Sequence, residues 1–181
     1  MRTFLIMAFF SSITRLFAGA APVSPYKSVE VYDGLRAQVL ALRPEQVGAK
    51  DEPLIAVLME TGYPEAVATL VSVIDGAASL YFSSGGGIIG GGENQQANAA
   101  SKKLVRKAGS FLKCMAKTEK SPLPMKGFTR FYVVTPSGLL TAEAKEEDLG
   151  EGRHALSPLF HAAHELITEV RLIDEQRRKK G

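Results

Sequence analysis

Alternation at period two dominates the middle of the chain. Val67, Thr69, Val71 and Val73 alternate with Ala68, Leu70, Ser72 and Ile74, a β-branched run bounded by Tyr63-Pro64 and Asp75-Gly76. Asp-Gly suits a tight hairpin turn, whose central residues need positive φ. The return strand is therefore expected over Ala77 to Ser83, with Ala78, Leu80 and Phe82 on one face and Ser79 and Tyr81 on the other. Both faces of the outgoing strand are apolar, which fits a central strand covered on each side; an edge strand would carry more charge. The same alternation recurs at Leu54 to Thr61 and at Phe128 to Val134, and Thr135-Pro-Ser-Gly138 turns the latter into a return over Leu139 to Lys145.

Three-to-four periodicity marks three helices. Val31, Leu35, Val39 and Leu42 stripe Ser28 to Leu42, which Pro44 ends and Gly34 weakens. Ala97, Ala100, Leu104, Ala108, Phe111, Leu112 and Met115 stripe Gln95 to Lys117. Ser157-Pro158, with Ser at N-cap and Pro at N1, opens a last helix carrying Leu159, Ala163, Leu166, Ile167 and Val170. Glu146 to Arg153 reads as an acidic loop, and the segment after Asp174 as a frayed basic tail.

The order α-βββ-α-ββ-α predicts an α+β domain, with about five mostly antiparallel strands in one sheet packed with helices. It broadly resembles the small profilin-like and roadblock-type regulatory modules. Three strands precede the middle helix here, whereas the roadblock type places two before and three after. The resemblance implies a scaffold that self-associates or binds other proteins, and it carries no site residue with it. Residues 28–175 are expected to form this single domain, preceded by a leader and linker at 1–27 and followed by a tail at 176–181.

The leader admits three readings. Arg2, the apolar run Phe4 to Phe10 and the small residues Ala18-Gly-Ala20 have the parts of a secretory signal. Phe9, Phe10, Ile13, Leu16 and Phe17 fall near helical spacing, as in an amphipathic anchor for a membrane surface or a partner. The third reading is an apolar segment that packs on its own domain. Arg15 interrupts the signal, and two arginines are few to hold a membrane, so a cytoplasmic location is the expectation. Export or peripheral membrane contact are the alternatives.

Composition changes this picture little: 45% hydrophobic and 23% charged residues are ordinary for a globular chain. Cys114 is the single cysteine, so no intramolecular disulfide forms, and its place beside Phe111 and Met115 predicts a small buried or half-buried hydrophobe rather than a nucleophile. Charge layout says more than the net +3. Residues 51–93 carry six acids and no Lys or Arg, whereas 94–130 carry nine bases against Glu119 alone. Lys102, Lys103, Arg106, Lys107, Lys113 and Lys117 are expected off the apolar stripe as a basic face. Without interleaved aromatics that face does not argue for nucleic acid.

Chemistry is sparse. Gly85, Gly86, Gly87, Gly90, Gly91 and Gly92 place six glycines within eight positions ahead of a helix. Such a loop can cradle phosphate, but no Gly-Lys-Ser/Thr follows, which excludes a P-loop, and Glu93 would repel an anion. The alternative is a chain crossing with Ile88 and Ile89 plugged into the core. His161 and His164 are three apart beside Glu165, not the four-residue spacing of a zinc-protease helix, so no metal site is assigned. Acid/base work by Glu60 or Glu65 with His154 lacks a supporting motif. The reading is a non-catalytic interaction or regulatory module, with a protein partner or self-association and no cofactor. The alternative is a ligand-binding or catalytic domain floored by the glycine loop, with Arg130, Arg153 and His154 as its polar groups.

Overall fold

The computed structural model describes residues 25–180. The leader, with its signal, anchor and packing readings, lies outside the described residues.

A single seven-stranded sheet organises what is described, in the order β4-β3-β2-β1-β6-β7-β5 with every neighbouring pair antiparallel. The strands are β1 (Ala56–Gly62), β2 (Val67–Val73), β3 (Ala78–Phe82), β4 (Gly87–Ile88), β5 (Ala116–Thr118), β6 (Phe128–Thr135) and β7 (Gly138–Lys145). The α+β class holds, with seven strands in place of the five expected. The two additions are the edges, β4 and β5. All seven residues of β1 are buried, because it lies between β2 and β6 and is covered on both faces.

One face is roofed by α1 (Glu30–Leu40), the other by α2 (Gln95–Ala108) and α4 (Ser157–Lys180). Strand alternation sorts side chains between two cores. Val57, Met59, Leu70, Phe131 and Val133 meet Leu104, Val105, Leu159 and Leu166 on the two-helix side. Leu58, Val71, Val73, Tyr132 and Val134 meet Tyr32, with Leu35 and Val39 of α1 half-buried against them. Each fully buried aliphatic or aromatic side chain contributes about 1.5–3 kcal/mol. α2, with four buried apolar residues, is held more firmly than α1, whose one buried residue is Tyr32.

Polar contacts fix α2 against the β2–β3 hairpin. Ser72 Oγ donates to the Ser101 carbonyl at 2.9 Å, and Ser101 Oγ donates to the Ala77 carbonyl at 2.8 Å. Asn94 caps the helix, its Oδ1 accepting from the amides of Gln96 (2.9 Å) and Ala97 (3.2 Å). The chain turns at Asp75-Gly76 as expected, but only Gly76 has positive φ (+99°) and Asp75 does not, so the tight turn with both central residues at positive φ is not formed. The Asn98 side chain fills the space a Cβ at Gly76 would need.

Several local expectations are corrected. The helix expected through Lys117 ends at Ala108, continues as a 3₁₀ segment to Cys114, and gives way to β5, whose pairing with β7 takes over the backbone hydrogen bonds. Cys114 is therefore exposed, not a buried hydrophobe. The acidic loop contains a short helix, α3 (Glu146–Gly150). The tail expected to fray after Asp174 instead continues α4 to Lys180, steadied by Arg178 on Asp174 at 2.8 Å, an (i, i+4) pair.

Candidate functional site

Register places one line of residues across the sheet beneath α1. Gly87, Tyr81, Thr69, Glu60, Arg130 and Glu143 are successive cross-strand partners from β4 to β7. On a face otherwise built from Leu58, Val71, Val73 and Val134, this is a polar row, and α1 lowers two side chains onto it.

Arg36 Nε and Nη2 donate to the two Glu60 oxygens at 2.6 and 2.8 Å, a bidentate pair around a carboxylate with no exposed surface. The Arg36 guanidinium also lies 5.4 Å from the Tyr132 ring centroid, close enough for a cation–π contribution. The Thr69 hydroxyl donates to Glu60 Oε1 at 3.4 Å and lies 2.9 Å from Tyr32 Oη, which leaves Tyr32 the donor in that contact. The chain of donation thus runs from Tyr32 through Thr69 to Glu60. Burial pushes the Glu60 carboxyl above the usual carboxylate range, against the opposing pull of Arg36. Burial works against the Arg36 charge too, but the Glu60 hydrogen bond and charge outweigh it and hold its pKa above the ordinary value. Burial and then the Glu60 charge push the phenols of Tyr32 and Tyr81 far up, so both stay protonated at neutral pH.

Toward β7, Arg130 turns from Glu60 to its other neighbour and meets Glu143 at 2.7 Å. Its Nη1 donates to the Pro122 carbonyl at 3.2 Å, the same oxygen that Tyr132 Oη reaches at 2.6 Å. Toward β4, the Tyr81 ring stacks edge-on against Tyr32 at 5.6 Å, and its buried hydroxyl has no hydrogen-bond partner among the described residues.

At that β4 end the row meets a groove of about 230 Å³ between α1 and the glycine loop. Its walls are Val29, Val31, Leu35, Tyr81, Phe82 and Ile89, and its floor is the backbone of Gly85, Gly86 and Gly87. Those three glycines have φ of +102°, +79° and +149°. At Gly87 a Cβ would also press on the Leu80 carbonyl and on Tyr81, so the close approach of β4 to β3 requires glycine there. Gly90 (φ +77°) turns the chain inward, where Gly91 and Gly92 lie against the Ala78 and Gly76 carbonyls. The loop is thus divided, with 85–87 forming the groove floor and 90–92 a chain crossing. Ile88 packs half-buried toward the two-helix core, whereas Ile89 is 57% exposed beside the groove. Glu93 pairs with Arg177 at 3.3 Å.

The other expected site residues do not gather here. Arg130 lies on the polar row but with β3, β2 and β1 between it and β4. Arg153 and His154 lie between α3 and α4, on the opposite side of the sheet from Glu60. Arg153 is held by Asp148 at 2.7 Å, and His154 Nδ1 accepts the Leu156 amide at 3.1 Å. Glu60 and His154 therefore cannot share an acid/base step. The six bases of the expected basic face divide as well. Lys103 pairs with Glu165 at 3.2 Å, while Lys113 lies in the 3₁₀ segment and Lys117 in β5. His164 leans on Phe160 at 4.3 Å with its buried Nε2 unpartnered, and among the described residues no three His, Cys, Asp or Glu side chains are grouped to hold a metal.

Sequence reasoning missed Arg36 and Tyr32. The available signal was a lone acid, Glu60, in an otherwise apolar central strand, which demands a buried cation. Arg36 lies four residues from Tyr32 on the sheet-facing side of α1 and supplies it. No protein-family model, curated protein or solved structure matches the chain. Among the described residues no helix is long and apolar enough to cross a membrane.

Proposed function

We propose that the chain is a non-catalytic interaction module that docks an apolar protein segment in the groove between α1 and the glycine loop. The observation that carries this reading is the exposed apolar rim: Val31 is 72% exposed and Ile89 57%, with Val29 and Phe82 exposed beside them. Large hydrophobic side chains gathered around one concavity are the surface signature of a protein contact. The polar row supports the reading from below, since Arg36 and Glu60 neutralise each other and the phenols stay protonated. That arrangement stiffens the platform without offering a nucleophile. An antiparallel sheet with helices on both faces accords with the loose profilin and roadblock likeness, and self-association through the same rim follows from it.

The double substitution Val31→Asp with Ile89→Asp tests this. Both side chains project from the surface, so the melting temperature is expected to stay within a few degrees. Proteins cross-linked to the full chain in its native cell, second copies included, are expected to be lost. A double variant that keeps its cross-linked partners overturns the reading.

A second reading, a small-molecule site, is favoured by one observation: the unpartnered Tyr81 hydroxyl belongs to a residue on the groove wall. A small apolar ligand with one polar group would reach that hydroxyl, which has no exposed surface, only by displacing the side chains that cover it. Tyr81→Phe separates the two, weakening such a ligand while leaving protein docking unchanged.

A further inference from the structure

We infer that the partner in this groove is a second copy of the chain, which adds its own β4 antiparallel to β4 across a two-fold axis at Gly87 and lowers its Ile89 into the groove. The inference rests on the reading of that groove as a docking site and names its occupant and the way it is held.

β4 is an open edge. It pairs with β3 on one side, and among the described residues no strand lies beyond it. The Phe82 amide donates to the Gly86 carbonyl at 3.1 Å, and Tyr81 faces Gly87. Hydrogen-bonded and non-bonded pairs alternate along an antiparallel ladder, so the N–H and C=O of Gly87 point outward. Gly85, Gly86 and Gly87 are exposed and have no side chain to hold another backbone off. Proteins commonly blunt such an edge with charge or proline. The far edge is treated in that way, with Lys117 in β5 and Glu119, Lys120 and Pro122 after it, whereas residues 83–92 carry no charge and no proline.

A bare edge accepts an extended segment, and the surroundings of this one match a second copy of themselves. Two-fold symmetry at Gly87 sets Ile89 of each copy opposite Gly85 of the other. Ile89, 57% exposed, then lies over the glycine floor of the other copy's groove, whose volume of about 230 Å³ holds a side chain of that size. On the other face of the sheet α4 runs past β4, where Arg171 and Glu175 are exposed. Neither is in an ion pair among the described residues, whereas Arg178 beside them is held by Asp174. The same axis lays α4 of one copy antiparallel to α4 of the other, with Arg171 toward Glu175 and Glu175 toward Arg171. The surface is complementary to itself in charge, in shape and in backbone hydrogen-bonding groups.

The test uses the full chain. Sedimentation velocity is expected to show a monomer–dimer equilibrium. The Gly87 amide, followed by NMR hydrogen exchange, is expected to become protected as concentration rises, while the amides of β5 exchange at one rate throughout. Arg171→Glu alone and Glu175→Arg alone are each expected to weaken dimerisation about tenfold, because each sets like charges opposite one another twice. Mixed in equal amounts, the two variants are expected to regain the native affinity, since every charge contact across the axis is again Arg on Glu. Misfolding caused by either substitution would not be rescued by mixing. A chain that stays monomeric at every concentration overturns the inference. So does a dimer in which Gly87 remains unprotected or in which mixing restores nothing. If the chain is monomeric while Val31→Asp with Ile89→Asp still removes cross-linked partners, the second copy falls and the docking reading stands. If neither experiment responds, both fall.

Discussion

Glu60 shows how much a single residue costs when it is placed at the centre of a sheet. Its carboxylate has no exposed surface, and Arg36 is its bidentate partner. Removing one member strands the other charge in the core, a loss of about 3–5 kcal/mol. Glu60→Leu alone and Arg36→Met alone are each expected to lose about that much in urea unfolding. The pair together is expected to recover most of it, because two apolar side chains can fill the same space. A double variant as unstable as the sum of its parts would show that the pair is not an independent unit. His164 gives the second prediction at this scale. Burial first, and then the neighbouring His161 charge, lower its pKa from 6.5. A lowered pKa in the folded state means that the neutral ring is what the fold accepts. Its contribution is then complete above pH 6.5 and is lost as pH falls through the lower folded value. The urea midpoint of the native chain is expected to drop between pH 7 and pH 5 more steeply than that of His164→Leu. Equal slopes would remove His164 as the cause.

Among the elements, glycine position decides the sign of a substitution. Gly34 lies inside α1, where a Cβ would meet nothing within 4 Å and φ is not positive, so Gly34→Ala is expected to stabilise the chain by about 0.5–1 kcal/mol. Gly87 has φ +149° and faces the Leu80 carbonyl, so Gly87→Ala is expected to cost about 1–3 kcal/mol and to detach β4 from β3. Thermal melts of the two variants should move in opposite directions. The same contrast shows what the sequence made legible. β1, β2, β3, β6 and β7 are paired over runs long enough for alternation to accumulate, and their expected bounds fall close to the observed ones. β4 has two residues and β5 three, too few for any period, and both exist because an edge strand nearby offers unpaired hydrogen-bonding groups. Helix α2 was legible at its start near Gln95 but not at its end: Gly109 directly follows Ala108 as the C-cap, yet the apolar stripe runs on through Phe111, Leu112 and Met115, so periodicity did not stop where the helix does. The glycine loop was legible as a departure from regular structure. Its partner surface, Val29 just before α1 and Val31 within it, was not, since their adjacency to the loop is tertiary.

For the molecule as a whole, the sheet divides two layers of unequal strength. On one side α2 and α4 share a continuous core and are tied to the hairpin by Ser72, Ser101 and Asn98. On the other side α1 stands alone: it buries Tyr32 fully, its Val31 is largely exposed, and its specific ties are Tyr32 to Thr69 and Arg36 to Glu60. Regions with few buried apolar side chains open below the global free energy, so α1 is expected to open as a sub-global unit while β1 and β6 stay closed. Opening α1 also hydrates Glu60 and Arg36, which repays part of the lost contacts and lowers the cost of that opening further. Native-state hydrogen exchange under increasing denaturant should resolve this. Amides of residues 34–40 are expected to exchange at lower free energies than those of Val57, Leu58 and Phe131, with a smaller denaturant dependence. In the Glu60→Leu, Arg36→Met double variant the gap should narrow, because an apolar layer no longer gains from hydration when α1 lifts. If α1 exchanges only with global unfolding in the native chain, the two layers form one cooperative unit and the groove beside α1 is a rigid surface.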